Sequence, residues 1–231
     1  MVITVAAILS VAAMTLQPFQ KKNVEINKKQ NILTSINIES TAKNAEELYD
    51  KYILESFAVN SKGEIKEGVD AFSVDMKKEL AKPLEERSLP VFVSSLKESK
   101  QYIIPVYGKG LWGPIWGFIA LETDLNTLKG TSFDHKTETP GLGARITSSE
   151  VSQRYNGKKL FDESGNLISI SMLKGENNPP SVLDEHHVDG MSGATLTANG
   201  MNEMLESYFS YYQPYINKIK KSAGKEMALL N

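Results

Sequence analysis

The chain has 231 residues, 41% hydrophobic and 23% charged, a balance that fits one sizeable α+β domain or a domain with appendages. A formal net charge of −2 gives nucleic-acid binding no electrostatic support. Cysteine is absent, which removes disulfides, cysteine-ligated iron–sulfur clusters, thiolate zinc sites and cysteine nucleophiles together, while leaving the compartment open.

The first residues, "MVITVAAILSVAAMTL", carry no charge and are almost wholly apolar up to Gln17 and Pro18. At 1.5 Å per residue the run is short for a bilayer that needs about 20 residues. A signal peptide wants a positive lead and a cleavage site; no charge precedes Val2, and Val11-Ala12-Ala13 is a loose match. We read residues 1–18 as a single transmembrane anchor whose N-terminal end lies outside this chain, and residues 19–54 as a helical stalk and connector. Lys21 and Lys22 follow the anchor, which by charge alone argues for a cytoplasmic soluble part.

Beyond the stalk, apolar positions at Ala45, Leu48, Tyr49 and Tyr52 predict a helix over 41–53. A hairpin follows with its turn at Asn60 to Gly63. Residues 75–90, charged and broken by Pro83 and Pro90, read as loop with one helical turn. A second hairpin is expected around Lys97 to Lys100, then a Gly-rich corner from Gly108 to Gly113 and an apolar strand after it. A strand within "FDHKTETPGLGARI" leads to a turn at Pro140-Gly141, where Gly141 and Gly143 can both take positive φ. A short helix over Ser148–Tyr155 and a hairpin turning at Ser164-Gly165-Asn166 come next. Met201, Met204, Leu205, Tyr208, Phe209, Tyr212, Ile216 and Ile219 recur at three- and four-residue steps, predicting a final amphipathic helix that Pro214 should kink or restart. The soluble domain is thus expected over 55–231, built of antiparallel strands with packed helices.

Among chemistry-bearing residues, His135, His186 and His187 have no metal-ligand spacing, and adjacent histidines on an extended segment point to opposite sides. No P-loop, G-x-S-x-G or G-x-G-x-x-G is present. The remaining candidate is "VDGMSGATLTANG", residues 188–200, where a helix begins. Asp189, Ser192, Thr195 and Thr197 are all suited to cap it, with Gly193 supplying a turn. The pattern D-x-x-S-G-A-T is nonetheless rare, on the order of one random chain in two thousand at average residue usage. A helix N-terminus also suits a phosphate, so a phosphodiester on a threonine there is compatible with capping.

Asp189-Gly190-Met191-Ser192-Gly193-Ala194-Thr195 resembles the flavinylation motif of FMN-binding domains, in which a flavin transferase joins FMN through its phosphate to the last threonine. "ETPGLGAR", 138–145, looks like the second signature of these domains. "VYGKGLWGPIWG", 106–117, with "NKKQNIL", 27–33, is similar to the C subunits of Na+-translocating NADH:quinone oxidoreductases, and the resemblance spans nearly the whole chain. It implies an electron carrier with FMN bound covalently as a phosphoester to Thr195, with Thr197 as the fallback acceptor. It further implies no catalytic residue of its own, partnership with the other subunits of a membrane complex, and a flavin domain on the periplasmic side of the bacterial inner membrane, against the hint from Lys21 and Lys22. Asp189, Ser192, Gly193 and Ala194 would frame the attachment; Glu138, Thr139, Gly141, Leu142 and Gly143 would line the ring or its ribityl chain. Lys174 could place positive charge near the phosphate or stand in solvent, and Trp112 could border the ring, while Trp116 fits a structural role in its strand. The rival readings are the related flavinylated member of the Rnf ferredoxin:NAD oxidoreductase complex (its G component), a membrane-anchored binding domain without redox chemistry, and a free flavoenzyme, which lacks any acid, base or nucleophile constellation.

Overall fold

The apolar N-terminal run does not stop where the sequence turns polar. In the computed structural model, which describes residues 1–96 and 99–229 with side chains to residue 222, one helix, α1 (Val2–Ser35), carries anchor and stalk without interruption and passes through Pro18. Its first half is exposed and apolar enough to cross a membrane. Its last turns are not: Ile32, Leu33 and Ile36 are fully buried against the domain.

Helix α2 (Ala45–Tyr52) starts later than its apolar spacing predicts. Asn44 accepts hydrogen bonds from the backbone N–H and the hydroxyl of Thr41, which holds 41–44 as a turn. Strand β1 (Ile53–Val59) pairs with the short β2 (Ile65–Lys66) through the expected turn, with Gly63 at φ 70°. The stretch before the next strand holds short helical turns and α3 (Met76–Leu80), capped by Asp75. Strands β3 (Leu89–Leu96), β4 (Ser99–Lys109), β5 (Pro114–Leu121) and β6 (Leu128–His135) complete an antiparallel sheet in the order β2-β1-β3-β4-β5-β6. Strands β3 and β4 pair up to Leu96↔Ser99, as the second hairpin expected around Lys97 to Lys100 requires, and Lys97 and Glu98 lie outside the described residues.

The sheet is covered on both faces, so its middle strands read as continuous apolar runs rather than alternating ones. On one face Phe92, Ile103, Phe118 and Ala120 meet the end of α1. On the other, Val91, Val93, Ile104, Val106 and Ile119 meet α5 (Thr195–Leu229) through Met201, Met204, Leu205, Tyr208, Phe209 and Tyr212. The helical stripe predicted for α5 is therefore the core contact. Pro214 does not interrupt α5. Its interior position costs about 3 kcal/mol, offset by burial of Tyr212, Tyr215 and Ile216 around it.

Ser148 caps α4 (Ser149–Gln153), within the predicted span. The hairpin expected over 159–175 is only begun. Asp162 and Asn166 close its turn, but the arms share a single bridge, Phe161↔Leu167. The side-chain oxygen of Asn126 takes the backbone N–H groups of Leu160 and Phe161, and Ser169 adopts φ 69°. The returning chain, β7 (Ser171–Met172), pairs instead in parallel with β8 (His187–Val188), pinned to α5 by Asn202.

The buried end of α1 belongs to the domain core. Leu33→Ala should therefore lower the unfolding free energy by about 2–5 kcal/mol, read by urea denaturation of the full chain in detergent. An unchanged midpoint would make the stalk a mere tether.

Candidate functional site

Three segments distant in sequence meet at one end of the sheet. They are the corner between β4 and β5, the loop after β6, and the first turn of α5. Glu138 joins them. Its side chain is buried, 4% exposed, and one carboxylate oxygen accepts from the Trp112 backbone N–H at 2.8 Å. The other accepts from the Thr197 hydroxyl at 2.6 Å. The Glu138 backbone N–H donates to Nδ1 of His135 at 3.1 Å, which fixes the start of the loop.

The loop itself turns at Gly141, φ 75°, as its sequence predicts. Gly143 does not take positive φ. Its lack of a side chain is required by space instead, because a Cβ there would strike the Thr197 hydroxyl and the Glu138 carboxylate, at 2.5 Å from the latter. Thr139 accepts from the N–H groups of Leu142 and Ala144 through its carbonyl, closing the turn, and its side chain is exposed. Leu142 lies against Gly193, so the loop and the segment before α5 are in direct contact.

None of the four candidate caps performs that task. Ala194 occupies the cap position, its carbonyl accepting from Ala198. Asp189 faces the other way and accepts from the N–H groups of Asn177, Asn178 and Gly190 and from the Asn178 side chain. Burial pushes its carboxyl up, but these donors outweigh burial and hold it below the usual range. Thr197 is 2% exposed and committed to Glu138. Ser192 is exposed, and Thr195 is half-buried with its hydroxyl free of any partner among the described residues. The first N–H groups of α5 have no intrahelical acceptor, as in any helix start.

No local pattern in the sequence signals the clamp that holds 189–194. Glu176 forms a bidentate pair with Arg145 (2.9 and 2.5 Å), accepts from Arg154 at 2.9 Å, and takes the Ser192 backbone N–H at 3.2 Å. Arg154 also donates to the carbonyls of Asp189 and Gly190. The Arg145 and Arg154 hydrogen bonds hold the Glu176 carboxyl far below its ordinary value. Lys174, two residues before Glu176, makes no ion pair among the described residues.

Leu111, Trp112, Leu142 and Leu196 leave large apolar side chains in solvent, and all four belong to the three joined segments. Trp116 stands elsewhere, beside α1, in the structural position expected of it. The arrangement offers a flat aromatic ligand apolar contact, a free hydroxyl beside it, and unpaired helix N–H groups for an anion.

Comparison with known proteins bears on the whole chain. The profile of the FMN-binding domain family matches residues 110–210. The C subunit of the Na(+)-translocating NADH-quinone reductase of Haemophilus ducreyi is 31% identical over 94% of this chain and 90% of its own length. This chain belongs to that family of C subunits. The Pseudomonas aeruginosa C subunit is 31% identical over 84% of this chain and 82% of its own. Two crystal structures share the fold: the Parabacteroides distasonis C subunit, with TM-score 0.79 and 41% identity over 87% of this chain and 96% of that one, and Shewanella oneidensis NqrC, with TM-score 0.72 and 26% identity over 86% and 99%. Both bear out an antiparallel sheet with packed helices as the arrangement of this family's soluble domain.

Two outcomes test the site's construction. Thr197→Val strands a buried carboxylate oxygen and should cost about 1.5–3 kcal/mol in chemical denaturation. Thr195→Val, which removes an unpartnered hydroxyl, should cost far less. Glu176, with its native pKa depressed, stabilises fully at neutral pH and loses that contribution as pH falls below its unfolded value. The Tm gap between wild type and Glu176→Gln should therefore hold above about pH 5.5 and shrink steadily as pH falls from about 5 toward 2; a gap independent of pH would remove the clamp from the account.

Proposed function

We propose that this chain is an electron-carrier subunit of a Na+-translocating NADH:quinone reductase, and that it works through an FMN joined by phosphoester to Thr195. The observation that carries the choice of acceptor is the contrast between the two threonines. Thr197 is buried with its hydroxyl given to Glu138, whereas Thr195 is half-exposed and uncommitted at the first turn of α5.

Attachment forms a P–O bond from Thr195 Oγ and releases the hydroxyl proton. The step balances with a flavin dinucleotide as donor: a flavin transferase breaks its pyrophosphate bond, the FMN phosphate passes to Thr195, and a nucleoside monophosphate is released with the proton. The phosphodiester anion would lie at the unpaired N–H groups of α5. Glu138, with Gly143 packed on it, holds the loop of Thr139, Gly141 and Leu142 where the ring would lie, and Trp112 borders that position. Asp189, Ser192, Gly193 and Ala194 frame the attachment through the Glu176 and Asp189 clamps, and the exposed Lys174 would supply positive charge toward the phosphate. Bound FMN would supply electron transfer, and the chain's residues would hold and orient it. A carrier of this kind needs neither an NADH nor a quinone site. It depends on the other subunits of the membrane complex, with its domain on the periplasmic side of the inner membrane and α1 as the single-pass anchor.

Intact mass spectrometry after co-expression with a flavin transferase tests the reading. The FMN-phosphoryl increment should be present in the wild type and in Thr197→Val, and absent in Thr195→Ala. A colourless wild-type protein with no increment would leave a binding domain without redox chemistry; an increment surviving Thr195→Ala would move the acceptor.

A further inference from the structure

The direction of α1 along the sheet fixes which end of the domain faces the anchor. Asn37 binds the Lys129 carbonyl, Asn31 binds Ser132, and Asn23, Val24 and Asn27 flank Trp116, whose partner in β6 is Asp134. Moving back along α1 toward the membrane segment therefore runs down β6 toward His135 and down β4 toward Lys109. The corner after β4 is the part of the sheet nearest the anchor. From the level of Trp116 to Pro18 the helix covers about 8–13 Å. From Trp116 back to Trp112 the chain reaches up to about 13 Å. The corner thus projects along α1 toward the end of the apolar run.

The composition of that corner suits the headgroup layer. Leu111 and Trp112 are 43% and 66% exposed. Lys77, Lys109 and Lys136 surround one cleft beside them, and none has an ion-pair partner among the described residues. Lys21 and Lys22 are exposed on α1 just after the apolar run. Tryptophan and leucine rimmed by lysine is the pattern of a surface that sits in a membrane interface.

We propose that, in the chain before flavin is attached, the Lys109–Gly113 corner is a foot that docks the domain on anionic lipid, with Leu111 and Trp112 entering the interface and Lys77, Lys109 and Lys136 receiving lipid phosphates. The foot rests on α1 being a membrane anchor. Each lysine adds about fivefold to occupancy near an anionic surface, and salt screens the effect.

The test uses the full chain made without a flavin transferase, with Trp116→Phe so that Trp112 is the single tryptophan. It is reconstituted alone into phosphatidylcholine vesicles with or without phosphatidylglycerol. Flotation reports the anchor, and quenching by brominated acyl chains reports the foot. With phosphatidylglycerol, Trp112 emission should shift to the blue and be largely quenched. Salt, or the combined Lys77→Gln, Lys109→Gln and Lys136→Gln changes, should reverse this; none of the three lysines is buried, so folding is spared. A chain that fails to float would overturn anchor and foot together. A floating chain with unquenched Trp112, with quenching indifferent to lipid charge, or with Trp112 covered only after other reductase subunits are added, would overturn the foot alone.

Discussion

Everything at the functional end of this molecule depends on one buried carboxylate. Glu138 receives a backbone N–H from the corner and a hydroxyl from the first turn of α5, and so fixes three segments that share no sequence proximity. A carboxylate out of water is costly unless its oxygens are bonded. Here both are bonded, and the second donor belongs to the positive end of a long helix, a position that favours negative charge by about 0.3–1 kcal/mol or more when partly buried. Gly143 follows from the same constraint, since any side chain there would occupy the space the carboxylate needs. The helix start therefore serves one anion from inside the protein and presents its remaining N–H groups outward, where the proposed phosphodiester would lie.

The second organising fact is that the sheet has no free face. The end of α1 covers one side and α5 the other, so the anchor is built into the core that positions the site. A rigid passage from membrane helix to sheet fixes the height and facing of the corner, the loop and the α5 start relative to the bilayer. A flexible linker would leave these undetermined. For an electron carrier the distance between cofactor and partner sets whether transfer occurs, and this continuity supplies a defined distance from one end.

Much of this was legible in the sequence where local physics decides. The α5 stripe, the turn at Gly63, the Gly141 turn and the corner between β4 and β5 follow from periodicity and turn chemistry. The D-x-x-S-G-A-T string marks the right helix start. What could not be read depends on side chains meeting across long separations. Asn126 diverts the expected hairpin into a parallel pair, and no local pattern announces that. The capping reading of Asp189 failed because its donors lie in the 177–178 turn. Gly143 looks like a turn glycine in sequence and is a packing glycine in space. Glu176 sits in an ordinary loop string, and only its two arginines, 22 and 31 residues away, reveal it.

The two halves of the site are built to different degrees of rigidity. On the side of the α5 start, Asp189 clamps one turn, Glu176 holds the Ser192 N–H, and Arg154 takes two carbonyls in succession, so the backbone leading to Thr195 is tied down by charged groups. Opposite, Leu111, Trp112, Leu142 and Leu196 offer apolar surface without covering it. A cofactor held by its phosphate on the first side would be immobilised at the tether, with its ring resting on a surface open to a partner. That asymmetry suits a carrier. An enzyme acting on a bound substrate must close around its reacting centre, whereas a relay must keep an edge of its cofactor accessible to donor and acceptor in turn. It must also never release the cofactor between them, and the proposed covalent link at a rigid helix start would provide that without enclosing the ring.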